Sequence, residues 1–173
     1  MSLSLYELSV ANYLQILRAV DDFLDKGLAH CGVDNIDLHE LVETRVHPDM
    51  LPLRFQLVSV VHHSLHAIKG IQAGVFSPPP SQPDLDFAAL EEMVSDAVAE
   101  LEQYTPEQIN AFSGKDVVFK VGDMVLPFDA ESFVMSFSLP NFHFHASTAY
   151  NILRSKGVPL GKRDFLGAMR CKQ

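Results

Sequence analysis

Residues 139–167 read LPNFHFHASTAYNILRSKGVPLGKRDFLG. Phe142, Ala149 and Leu153 return at helical spacing, Gly157 supplies a C-terminal stop, and Pro159 keeps the helix from continuing. Extended upstream, the helix starts near Asp129 and runs to about Lys156, with Pro140 either kinking it or marking the restart of a new segment. Two histidines and an amide lie within it, so any chemistry in this chain most naturally starts there.

Three more amphipathic helices precede it. From Ser9 to about His30, Val10, Tyr13, Leu14, Leu17, Val20 and Leu24 form an apolar stripe between charged residues. A second helix runs from Pro52, suited to a first turn, to a stop at Gly74, with Leu53, Leu57, Val61, Leu65, Ile68 and Ile71 on its apolar face. The third spans Phe87 to about Tyr104, and Leu90, Val94, Ala97 and Leu101 oppose Glu91, Glu92 and Glu100. A short helix is expected from Ile36 to about Val46, and another after the Thr105 cap with Pro106 in its first turn. Ser77–Pro83, reading SPPPSQP, is a stiff extended crossover.

After Gly114 the period shortens to two. Val117–Val121 and Met124–Leu126 flank Gly122-Asp123, which predicts a β-hairpin near 116–128. Pro127 restricts its second strand to a sheet edge, so the hairpin is expected to be an appendage. The fold class is therefore mainly all-α, a four-helix bundle with a small hairpin insertion, in one domain spanning 1–173.

Composition narrows the partners. Thirteen basic against 22 acidic residues give a net charge of −9, unfavourable for nucleic acid or anionic lipid. Lys162 and Arg163, with Arg154, Lys156, Arg170 and Lys172 nearby, read as a solvated C-terminal surface. Cys31 and Cys171 have no paired spacing, no apolar run approaches the ~20 residues of a bilayer span, and the first residues lack the features of a secretory leader. A soluble, cytoplasmic protein is expected. GxGxxG, P-loop, HExxH and GxSxG motifs are all lacking, which removes the usual sequence support for nucleotide enzymes, zincins and serine hydrolases.

Five of the eight histidines fall in two groups, His62, His63 and His66 on the second helix and His143 and His145 on the fourth. At about 100° per residue, Asn141 and His145 share a surface bordering the bundle core, whereas His143 points to the opposite side. His62 and His66 share one side of their helix and read as solvated. His63 groups instead with Gln56, Val60 and Ala67. His145 is open to two readings, a histidine satisfied by a neighbouring carbonyl or by Asn141, and a metal ligand. Tyr104, Tyr150, Asp129 and Glu131 are potential proton donors or acceptors, and no nucleophile–base arrangement can be defended from spacing.

The LPNFHFH segment, Thr148-Ala149-Tyr150, the GVPLGKRDFLG ending, the SLSLYELSV opening and the HPDMLPLRFQ block at 47–56 resemble the DinB/YfiT-like superfamily of helical bundles. The likeness is to a branch of unknown function that carries these motifs, and it covers essentially the whole chain. It implies a divalent-metal site with one histidine from the second helix and two from the last, which transfers to His63, Asn141 and His145. His62, His66 and His143 are secondary candidates. Asn141 stands where a third imidazole would be, and an amide oxygen is a harder, weaker ligand that suits manganese or nickel better than a closed zinc site. Some relatives use such a metal to activate a thiol, so the resemblance implies a metal-dependent enzyme, for example a thiol transferase. The other reading is a non-catalytic bundle that binds a small ligand or self-associates, with the same residues forming a degenerate metal site. A homodimer is expected on family analogy and on the prevalence of two-fold dimers.

Overall fold

A computed structural model describes residues 3–82 and 84–172. Pro83, the last proline of the crossover, and Ser2, the first residue of the SLSLYELSV block, lie outside the described residues. The chain opens with α1 (Leu5–Leu8), whose Ser4 and Glu7 form a capping box. α2 (Val10–Asp34) follows and outruns its predicted end, stopping where Asn35 takes the left-handed conformation at φ 53°. α3 (Leu38–Val42) is shorter than the predicted 36–46 helix and is capped by Asp37.

Two of the bundle helices are interrupted in the same way. α4 (Leu53–Val61) continues through a π-helical turn at His62–His66 into α5 (Ala67–Ala73), and Gly74 ends the run at φ 75°. α6 (Phe87–Leu101) is capped by Asp86, and α7 (Pro106–Asn110) begins with a Thr105–Gln108 capping box. α8 (Ala130–Phe133), capped by Asp129, passes through a second π turn at Val134–Ser138 into α9 (Leu139–Ser155). Pro140 neither breaks nor restarts this helix. It lacks an N–H and its ring crowds the carbonyl four residues back, and the wide π turn immediately upstream accommodates both defects.

α4 packs against α9 and α6, and α2 packs against α6 and α9, which closes a ring of four helices. Tyr13, Phe23, Leu57, Ile68, Leu90, Phe133 and Phe142 are among the fully buried side chains at its centre. Each apolar stripe read from periodicity faces this core.

The hairpin forms from β2 (Asp116–Val121) and β3 (Met124–Asp129), with Val121 opposite Met124 across the Gly122-Asp123 turn. It is not an appendage. β1 (Val75–Phe76) pairs in parallel with β2, and Val117 and Phe119 are buried against the bundle. The reason is the alternation of β2, which turns Val117 and Phe119 inward, where Phe119 meets Phe76 and Phe137. Pro127 does lie on the sheet edge, as expected.

The C-terminal segment is pinned to the bundle. Val158 and Leu160 are buried, and α10 (Lys162–Leu166) lies on α2. Lys26 pairs with Asp164, Gln15 Nε2 donates to the Leu166 carbonyl at 3.0 Å, and Phe165 meets Tyr150 edge-on. Gly167 (φ 60°) ends the contact; a Cβ there would stand 2.8 Å from the Gln15 carbonyl oxygen. Lys162 and Arg163 face solvent.

Candidate functional site

The histidines of the first π turn lie under the small sheet. Phe76 stacks on His62, with ring centroids 4.4 Å apart, and also touches His63. Gly70 makes this possible, because a Cβ at that position would come within 2.9 Å of the Phe76 ring. His62 is therefore buried (6% exposed) and not solvated as its helix position suggested, while His66 remains exposed. The covering element is β1, whose two residues follow the helix stop at Gly74 directly. His62 Nε2 donates to the Ser77 carbonyl at 2.7 Å, which leaves Nδ1 as a buried nitrogen without a partner among the described residues.

His63 faces the other way, toward α9. Its ring lies parallel to that of His145, with centroids 5.9 Å apart and planes 12° from parallel. Gln56 holds His145 from two turns before His63. The Gln56 amide donates to the Leu51 carbonyl at 2.7 Å, so its Oε1 accepts from His145 Nδ1–H at 2.8 Å. That bond sets the His145 tautomer and leaves Nε2 with the lone pair. His63 Nδ1 is buried and bare among the described residues.

Burial keeps these imidazoles neutral. It pushes His62 down to about 4, aided by the nearby His66, and His145 down to about 4. His63 falls to about 3, through burial first and then through the neighbouring His62 and His145. No carboxylate bonds to any of the three among the described residues, and the Ser77 carbonyl, which raises His62, only partly offsets its burial.

The remaining predicted residues divide. Asn141 sits on the half-buried face as expected, but its side-chain nitrogen donates to the Phe137 carbonyl at 2.7 Å within its own helix. His143 faces solvent. Asp129 caps α8, and Glu131 in its first turn accepts from Ser113 and from the Gly114 N–H. Phe142 is core, whereas Phe144 is exposed on the far side of His145.

For a divalent ion this neighbourhood offers the imidazoles of His63 and His145. Among the described residues no group of three or more His, Cys, Asp or Glu side chains could hold one. The donor set falls one imidazole short of the three-histidine centre that the resemblance implies.

Ser138 and Tyr13 were not legible as part of the site. Tyr13 Oη donates to Ser138 Oγ at 2.8 Å, and Ser138 Oγ donates to the His63 carbonyl at 2.7 Å, joining the two π turns across the bundle. Burial raises the Tyr13 hydroxyl well above its ordinary pKa, so it stays protonated as a donor. The missing sequence signal is the π turns themselves, which no residue pattern announces.

A four-helix bundle with a three-stranded sheet over paired histidines defines the class of this molecule. Its fold is shared with a solved DinB family member from Shewanella denitrificans, at a TM-score of 0.79 and 24% identity over 98% of this chain and 95% of that one. The chain belongs to the family described as Domain of unknown function (DUF1993), whose model matches residues 5–166. A comparison with curated proteins finds no significant match. No helix among the described residues is long and apolar enough to cross a membrane.

Proposed function

We propose that the protein is a non-catalytic bundle that binds a small ligand, with His63, Asn141 and His145 as the remnant of a metal centre. The observation that carries this reading is the His63–His145 pair, two desolvated imidazoles stacked in parallel with no acid beside them. Groups with pKa values near 3 and 4 are neutral at pH 7 yet poor bases, far from the range in which a general base works well. Neutral imidazoles of this kind suit hydrogen bonding to a bound molecule. The same reading takes the protein as a cytoplasmic homodimer, and exposed Met135 and Phe144 on the last long helix supply apolar surface for self-association.

The competing reading is a divalent-metal-dependent enzyme, such as a thiol transferase using nickel, manganese or zinc. It draws on the Gln56 bond, which orients His145 as metal-ligating histidines are oriented. Elemental analysis of untagged protein, with thermal melts in each metal, separates the two. The ligand-binding reading expects no stoichiometric metal and little stabilisation. One ion per chain with a metal-dependent rise in Tm would overturn it.

A further inference from the structure

A cleft of about 400 Å³ opens on the other side of Phe55, between the start of α4 and the Ser77–Gln82 crossover. Its walls include Leu51, Phe55, Val58, Pro79 and Pro80, and its charged residues are Arg45 and Arg54. In a chain of net charge −9, a cleft lined by two arginines and no carboxylate runs against the general field. The volume is at the lower end of small-molecule sites.

The two guanidinium groups are incompletely used. Arg45 Nη1 donates to the Met50 carbonyl at 2.6 Å, and Arg45 has no acidic partner among the described residues. Arg54 pairs with Glu43 and donates to the Gln82 carbonyl at 3.2 Å, while its Nε is buried without a partner among those residues. Arg45, at an exposed position, keeps guanidinium donors for an incoming acceptor. The α4 terminus adds to it. Pro52 occupies the capping position and makes no side-chain bond, so the Arg54 and Phe55 N–H groups lack the acceptor that Ser, Thr or Asp would provide. Positive charge, free donors and a helix N-terminus converge on one apolar slot.

We infer that this cleft binds a small organic carboxylate with an apolar body, the carboxylate meeting Arg45 and Arg54 and the body lying against Phe55 and the prolines. The inference rests on reading the protein as a ligand-binding bundle, and it seats the ligand across Phe55 from His145. Phe55 links the two places, since its ring also meets His145 edge-on at 5.9 Å. A carboxylate fits better than free phosphate because the walls are mostly apolar and one of the two arginines is already half-neutralised by Glu43.

The test is a titration of ¹⁵N-labelled full-length protein with phenylacetate, phenylacetamide and inorganic phosphate, read by NMR at the Arg54 Nε–H and the Arg54 and Phe55 amides. Phenylacetate should produce saturable shifts at these three groups, with the uncharged amide and phosphate each at least about tenfold weaker, since one charge-assisted contact is worth about a factor of ten or more. Arg45→Gln, at an exposed position, should weaken phenylacetate by a similar factor. Glu43→Gln should tighten it by releasing Arg54. Absence of saturable shifts, equal binding of acid and amide, equal binding of phosphate, or indifference to both substitutions overturns the inference. Failure here with metal-free protein removes the cleft alone, whereas a stoichiometric metal would remove the ligand-binding reading and leave this titration to decide the cleft.

Discussion

Ser138 joins the two π turns of the bundle by donating its hydroxyl hydrogen to the His63 carbonyl at 2.7 Å. It receives a hydrogen bond from Tyr13 in return, so three elements, α2, the first π turn and the second, meet through one buried oxygen. A π turn widens the helix and displaces backbone groups from the regular ladder, and such turns persist where neighbouring structure compensates for them. Here the compensation is a serine on the facing helix. The His63 ring owes its place opposite His145 to this backbone arrangement as well as to its own packing.

Ser138→Ala should therefore destabilise the fold by about 1–3 kcal/mol, because the fully buried Tyr13 hydroxyl loses its acceptor. Tyr13→Phe, which removes the donor together with its need, should cost less. Urea unfolding followed by circular dichroism measures both, and an unchanged midpoint for Ser138→Ala would show that the staple contributes nothing.

Gly70→Ala offers a test in which two effects have opposite signs. Helix propensity favours alanine by about 1 kcal/mol, while the added methyl would stand 2.9 Å from the Phe76 ring. Phe76 is enclosed by His62, Phe119 and Phe133 and has little room to retreat. Overpacking should win, with a net loss of about 1–2 kcal/mol and a displaced His62 resonance in NMR spectra. A stabilised variant would mean that the sheet rests loosely on α5.

Stability should fall between about pH 6.5 and pH 4. The unfolded chain takes up protons on its histidines near pH 6.5, whereas the folded state keeps His62 and His145 neutral to about 4 and His63 to about 3. More protons are bound in the unfolded state across that window, so the contribution of these groups is complete above it and is lost as pH drops. Asp129, held low by Ser132, and Asp164, held low by Lys26, contribute only further down. His145→Gln should reduce the pH slope of the urea midpoint by roughly one proton. An unaltered slope, or histidine Cε1–H titrations centred at 6.5, would remove the claim.

Asn141→His supplies the third imidazole that the resemblance implies at this position. Its prediction is a new Tm increase in nickel or zinc, of a size set by metal concentration over Kd, where the parent protein shows little. Should Asn141→His gain nothing, His63 and His145 are not placed to share an ion.

Pro127→Val should promote self-association. Val118 N–H donates to the Gly74 carbonyl on the β1 side, so Pro127, opposite Val118, sits at a position whose nitrogen faces the open edge of β3. Restoring an N–H there beside exposed Met124, Val125 and Leu126 gives the edge a donor for another strand. Light scattering across a concentration series checks this, and an identical mass distribution for both proteins would refute it.

The periodicity of apolar residues was enough to place four long helices and a hairpin, because burial in a bundle demands one stripe per helix and alternation in a strand. It also put Asn141 and His145 on the core-bordering face and His143 outside. Local chemistry set the caps at Thr105 and Asp129 and the stop at Gly74, all of which involve residues within a few positions of one another. What lay beyond that reach was the fate of His62 and of the hairpin. Both depend on Phe76, which follows the helix stop by two residues yet acts on groups from β2 and both π turns.

Sequence alone determined the helical bundle, through residue type and spacing, and its motifs carried the resemblance to the family. Only tertiary structure decided that His63 lies parallel to His145, that Gln56 selects the His145 tautomer, and that Ser138 ties the π turns together. These relations join residues on different helices, and a wide turn shifts the phase of every side chain after it. A π turn is stable only with the partner that compensates it, so its position emerges when the helices meet.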